Sequence, residues 1–185
     1  MNAALIIIDV QEGFDDPRWG RRNNPDAERE IAGLLACWRA RGGPVIHVKH
    51  NSRGTKSPLH TANPGNAIKS IVAPLPQEPV LEKTVNSAFI GTDLEARLRS
   101  ANVREVVIVG LTTPHCVSTT ARMAANLGFE ARVVSDATAA YEWRGHDGAL
   151  IAPEDVHYHA LAALHGEFAT IVSAADVMAE LERAA

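Results

Sequence analysis

Six short apolar runs rich in Val and Ile recur along the chain, and the stretches between them carry helical patterns. Leu5-Ile6-Ile7-Ile8 ends at Asp9, Pro44-Val45-Ile46-His47-Val48 comes second, and Val80-Leu81 opens a shorter run. Val106-Val107-Ile108-Val109 ends at Gly110, Ala131-Arg132-Val133-Val134 ends at Ser135-Asp136, and Ala169-Thr170-Ile171-Val172 is the last. A strand with one wet face alternates apolar and polar residues. Continuous apolar runs suit strands buried on both faces of a parallel sheet.

The helical stretches have their own starts and stops. Residues 26–41 place Ile31, Leu34, Leu35 and Trp38 on one face and end at Gly42-Gly43. Thr92-Asp93-Leu94-Glu95 reads as a capping box for a short helix through about Ser100. Residues 114–127 form a third pattern, with Pro114 early and Gly128 as the stop. Pro153 starts a helix to about Leu164, and Ser173-Ala174-Ala175-Asp176 starts the last. The alternation predicts an α/β fold, a three-layer αβα sandwich with a mainly parallel, about six-stranded doubly wound sheet. No repeat or linker interrupts it, so residues 1–185 read as one domain.

Charge and cysteine content exclude several classes. Lys and Arg number 18 against 22 Asp and Glu, a net charge of −4. That balance does not suit gripping a nucleic-acid backbone. The 2 cysteines, Cys37 and Cys116, make neither a disulfide framework nor a four-thiolate zinc site. No apolar run approaches a membrane span and no basic leader pattern opens the chain, so the expected setting is the cytoplasm, with no membrane partner. The phosphate-binding, dinucleotide, zincin, nucleophile-elbow and CxxC motifs are all missing, and no cofactor is expected. His47 with His50, and His157 with His159, read as core or solvated residues rather than as metal clamps.

Two irregular stretches, residues 11–25 and 50–79, leave the carboxyl ends of predicted strands, where open α/β sheets place their sites. The chemistry-bearing stretch is Gly110-Leu111-Thr112-Thr113-Pro114-His115-Cys116-Val117. An apolar strand runs through a Gly-containing turn into a helix, and Cys116 falls in the helix's first turn. Free N–H groups and the helix dipole favour an anion there, which eases thiolate formation and suits an oxyanion. A buried, inert thiol fits the same position. Cys37, mid-helix beside Leu34, Leu35 and Trp38, reads as packing. Asp9 ends the first run and Lys83 lies just past the third, so both emerge at the same carboxyl edge as Cys116.

Three blocks at that edge resemble the isochorismatase-like cysteine hydrolases. They are Leu5 through Phe14, Glu82 through Phe89, and Val109 through Val117 with Thr119, Ala121 and Arg122. The resemblance implies a triad of Asp9 as base, Lys83 as electrostatic partner and Cys116 as nucleophile. It implies an oxyanion hole from the backbone N–H groups of Thr112 and Cys116, with a cis peptide between Leu111 and Thr112. It implies a small-molecule substrate and a homo-oligomer, a dimer or tetramer. Nicotinamidases of this family bind a metal through an Asp-x-His pair. Here the stretch reads Val48-Lys49-His50-Asn51-Ser52, leaving His60 alone, so no metal is expected. Enzymes that hydrolyse the vinyl ether of isochorismate need no thiol, so Cys116 favours attack on an amide, imide or ureido carbonyl.

The rival readings are a vinyl ether hydrolase, with Asp9 as proton donor, and a non-catalytic ligand-binding member of the fold. Phe14, Trp19 and Phe89 are candidates for an apolar wall of the pocket. Gln11, His50, Asn86 and His115 are candidates for its polar groups, and Tyr141-Glu142-Trp143-Arg144 for a cover or a subunit contact. A working triad predicts that Cys116 is alkylated well below pH 8.

Overall fold

The computed structural model describes residues 3–183 of the chain. β1 (Ala3–Ile8) is central, with β2 (Val45–His50) and β3 (Val80–Lys83) following it outward on one side. On the other side lie β4 (Glu105–Leu111) and β5 (Glu130–Ala139). A short antiparallel hairpin, β6 (Trp143–Arg144) with β7 (Leu150–Ile151), precedes the second edge strand, β8 (Thr170–Val172). The sheet order is β3-β2-β1-β4-β5-β8, and every pairing in it is parallel. The winding therefore reverses between β1 and β4, which is where a doubly wound sheet opens a crevice at its carboxyl edge.

The continuous apolar runs fill two cores. Along β1, Ile6 and Ile8 enter one core, while Leu5 and Ile7 enter the other. The first core takes Leu94 and Leu98 from α2 (Leu94–Ser100), Ala121 and Ala124 from α3 (Ser118–Asn126), and Leu161 from α4 (Pro153–Ala162). The second takes Ile31, Leu34, Leu35 and Trp38 from α1 (Ala27–Ala40) and Val177 from α5 (Ala174–Arg183). This is the expected three-layer αβα sandwich. Leu5, Ile6, Ile7 and Ile8 are each at most 1% exposed, and full burial of such a side chain contributes about 1.5–3 kcal/mol.

One glycine is fixed by the register. Gly110 of β4 lies opposite Ile8 of β1. It has φ +118°, and a Cβ there would stand 2.0 Å from the Ile8 carbonyl oxygen. No side chain fits between these two strands at the point where they deliver the site.

Three local expectations are corrected. The capping box at Thr92 does not form. Asp93 takes the cap position, the Thr92 hydroxyl donates to the Ala88 carbonyl, and Glu95 accepts from Arg99 instead. The same arrangement does form at Ser173, whose Oγ accepts from the Asp176 N–H at 3.1 Å. Second, the 114–127 pattern is not one α-helix. A wide π-helical turn, Thr113–Val117, precedes α3, and the Val117 N–H reaches back to the Thr112 carbonyl. Third, β5 does not end at Ser135-Asp136. Its pairing with β4 shifts so that Ile108 meets Val133 but Gly110 meets Thr138. The bulged strand bends and carries Ala139 and the following Tyr141 towards the site. Among the described residues, no helix is long and apolar enough to cross a membrane.

Candidate active site

Three strand ends meet at the carboxyl edge. Asp9 follows β1 with φ 51°, a left-handed conformation uncommon outside glycine and one that Asp tolerates better than most residues. Its N–H donates to the Val48 carbonyl of β2 and its own carbonyl accepts from Gln11. Lys83 ends β3 and is paired in register with His50, which ends β2. Cys116 sits in the wide turn after β4.

The side chains converge. Lys83 Nζ donates to Asp9 Oδ2 at 2.6 Å and to Cys116 Sγ at 3.3 Å, and it lies 3.1 Å from His50 Nδ1. Asp9, Lys83 and Cys116 are 0%, 2% and 8% exposed. Asp9 Oδ1 has no hydrogen-bond partner among the described residues, and Cys116 Sγ lies within 4.8 Å of the carboxylate. An open acceptor therefore stands beside the thiol. Asp9, His50 and Cys116 are also donors of the types that hold a metal ion. Here all three are engaged by the Lys83 ammonium, so a cation of the chain itself already serves them.

Burial sets the protonation states. It raises the Asp9 carboxyl above its usual range, and the Lys83 charge only partly offsets this. Burial, and then the Asp9 charge, push the Cys116 thiol up against the opposing pull of Lys83. This reverses the expectation of an easily formed thiolate. Desolvation and a carboxylate at close range both work against the charged sulfur. Burial and the Lys83 charge push His50 down to about 4, and burial lowers His115, so both imidazoles are neutral near pH 7.

The site opens into a cavity of about 480 Å³. Phe14, Trp19, Leu59, Tyr141 and Trp143 form its apolar wall. Asp9, His50, Asn86, Thr112, His115 and Cys116 supply polar groups, and Arg18 and Glu142 also line it. Phe14, Trp19 and Tyr141 pack together with ring centroids 5.5–6.3 Å apart, and the Tyr141 hydroxyl donates to the Phe14 carbonyl. The His115 ring lies 5.0 Å from that of Trp143. The Leu111–Thr112 peptide is cis, and the Thr112 N–H meets no backbone acceptor among the described residues.

Asp9, Lys83, Cys116, Thr112, Phe14, Trp19, Asn86 and His115 are thus brought together, as is His50. Gln11 and Phe89 are not. Gln11 is fully buried: its Oε1 accepts from the His50 N–H at 2.8 Å, while its Nε2 donates to the His50 and Asn66 carbonyls. It clamps two backbone segments and is buried outside the cavity lining. Phe89 packs into the first core against Phe129, ring centroids 6.0 Å apart. Tyr141, Glu142 and Trp143 line the cavity, whereas Arg144 does not. Arg18 and Leu59 were missed, because each lies in a long loop whose path no periodicity specifies.

Fold and site define a cysteine hydrolase on a doubly wound α/β sheet, with its thiol in the turn after a central strand. The family described as Isochorismatase domain matches residues 3–176. The chain is 51% identical to the isochorismatase family protein YrdC of Bacillus subtilis, over 92% of this chain and 91% of that one. A crystal structure of an isochorismatase-family protein from Chromobacterium violaceum superposes with a TM-score of 0.94 at 42% identity, covering 98% of this chain and 94% of that one. Nicotinamidase 3 of Arabidopsis thaliana is 32% identical over 80% of this chain and 79% of its own. The chain belongs to the isochorismatase family, and it is a hydrolase.

Proposed function

We propose that the protein hydrolyses a carbon–nitrogen bond of a small, planar, non-peptide amide through an acyl-enzyme on Cys116. The observation that carries this reading is the buried placement of Lys83 Nζ, 2.6 Å from Asp9 Oδ2 and 3.3 Å from Cys116 Sγ. A thiol with an open carboxylate acceptor beside it, and a fixed cation touching both, is equipped for general-base attack.

In this mechanism the sulfur attacks the amide carbonyl as its proton passes to Asp9. The raised carboxyl makes Asp9 a stronger base than an exposed aspartate. Lys83 neutralises the developing charge without giving up a proton. The carbonyl oxygen, now an oxyanion, takes the N–H groups of Thr112 and Cys116. Asp9 returns the proton to the leaving nitrogen as the C–N bond breaks. Water then attacks the thioester, gives its proton to Asp9, and the acid departs as the thiol recovers that proton.

Two further observations support an amide substrate. The apolar wall suits a small ring or flat chain, and a relative over most of the chain is named for amide hydrolysis. The test is ammonia or amine release from a panel of small amides, ureido compounds and imides, with wild type and Cys116→Ala side by side. Turnover lost in the variant, together with an acyl adduct on Cys116 by mass spectrometry, supports the reading. Turnover kept by Cys116→Ala overturns it and favours vinyl ether chemistry at Asp9, with isochorismate as the compound to try next.

A further inference from the structure

We propose that His50 is a positioning residue: its imidazole, fixed as the Nε2–H tautomer, accepts a Lys83 hydrogen at Nδ1 and holds the ammonium between Asp9 and Cys116. The proposal rests on the role given above to Lys83, and deepens it.

An ammonium has three N–H donors and no acceptor. In this site all three have a partner: Asp9 Oδ2 at 2.6 Å, His50 Nδ1 at 3.1 Å and Cys116 Sγ at 3.3 Å. Nδ1 meets a group that only donates, so it must present its lone pair. The ring's proton is then on Nε2.

The backbone of His50 is held as firmly as its ring. Gln11 closes on both its N–H and its carbonyl, and Gln11 is itself fully buried. Lys83 comes from an edge strand on a flexible four-carbon stem. Two acceptors leave its third N–H unmet on a wholly buried side chain. Its nitrogen would then be free to move onto Asp9 and away from sulfur. The third acceptor removes that freedom. His50 touches neither sulfur nor carboxylate by hydrogen bond, so its action passes through Lys83.

The first test needs no substrate. Nitrogen NMR of the histidine-labelled protein at pH 7 is expected to show His50 with Nδ1 bare and Nε2 protonated. A proton on Nδ1 overturns the proposal. The second test compares His50→Asn, whose Oδ1 replaces the Nδ1 acceptor, with His50→Leu, which has none. On an amide found by the panel, His50→Leu should lose about 100-fold in kcat with KM little changed, and His50→Asn should recover to within about tenfold of wild type. Equal losses in the two variants overturn the positioning role. Should Cys116→Ala remain active, the proposed amide chemistry fails, while the tautomer result still decides the placement of His50.

Discussion

Lys83 Nζ and Asp9 Oδ2 are 2.6 Å apart, and both side chains are wholly buried. Two charges taken out of water are held there by each other, by sulfur and by an imidazole. Removing one partner strands the other, at a typical cost of about 3–5 kcal/mol. Asp9→Asn and Lys83→Met should each lower stability by that order and cut turnover severely. The double variant should be more stable than the sum of the singles implies, because no buried charge is left unpaired. Urea denaturation of the four proteins measures this. Strict additivity would show that the two groups are not energetically coupled.

The protonation of Cys116 is open to the same variants. Burial and the Asp9 charge raise the thiol, and Lys83 lowers it. The rate of alkylation by iodoacetamide should therefore keep rising above the ordinary thiol pKa of about 8.5. Asp9→Asn should move the profile to lower pH, and Lys83→Met to higher pH. A wild-type rate already at its plateau below pH 7 would contradict this ordering of effects.

The thiol shows where sequence reading stops. Leu5 through Ile8 and Val106 through Val109 are legible as buried parallel strands, because a side chain on either face of such a strand must be apolar. Asp9, Lys83 and Cys116 are legible at one edge, because parallel strands all end on the same side. The balance at Cys116 is not legible, since it depends on how near a carboxylate lies and how little water remains. Nor is the inward turn of Gln11 or the burial of Phe89. A loop residue's side-chain direction follows the loop's path, and here that path is set by packing between segments distant in sequence. Gly13 and Gly65 meet so closely that a Cβ on either would lie within 3 Å of the other loop's backbone. The capping box at Thr92 misleads for a smaller reason. Thr92 finds a carbonyl acceptor at Ala88, and the helix begins one residue later than the box requires.

Acid should loosen the wall of the cavity before it unfolds the sheet. Glu28 on α1 accepts from Arg22 and from Lys69, and Lys69 also reaches Asp15 beside Phe14. Burial opposes the Glu28 charge, but Arg22 and Lys69 outweigh it and hold the carboxyl down to about 2, from 4.5. A depressed folded-state value means stability that is present above about pH 4.5 and lost as pH falls towards 2. The full contribution is about 3 kcal/mol. Glu28→Gln should lose stability at pH 7, and its melting temperature should fall less between pH 5 and 3 than that of wild type. Parallel acid curves for the two proteins would remove Glu28 from the account.

Gly110→Ala should fail more completely than either charge variant. The new methyl would stand 2.0 Å from the Ile8 carbonyl oxygen, on a backbone at φ +118°. The neighbour is rigid backbone at the centre of the sheet, and it cannot swing aside. A loss above about 4 kcal/mol places the substitution among the most damaging of single changes. Chemical denaturation should give a midpoint far below wild type. A near-normal midpoint would mean that β1 and β4 do not approach this closely.

The wall and the core make opposite demands on two aromatic residues, and a pair of truncations separates them. Trp143 lines the cavity and is 37% exposed, tilted against the neutral His115 ring. Phe89 lies away from the cavity and packs against Phe129 in the core beneath α2 and α3. Phe89→Ala leaves a gap in that core and should cost up to about 3 kcal/mol, with KM unchanged. Trp143→Ala leaves no such gap and should keep stability within about 1 kcal/mol of wild type. It removes a ring against which a flat substrate packs, so KM should rise with kcat less affected. Thermal melts and steady-state kinetics on the same two variants read both quantities. A raised KM in Phe89→Ala with an unchanged melt would return Phe89 to the pocket, where its place in the sequence first put it.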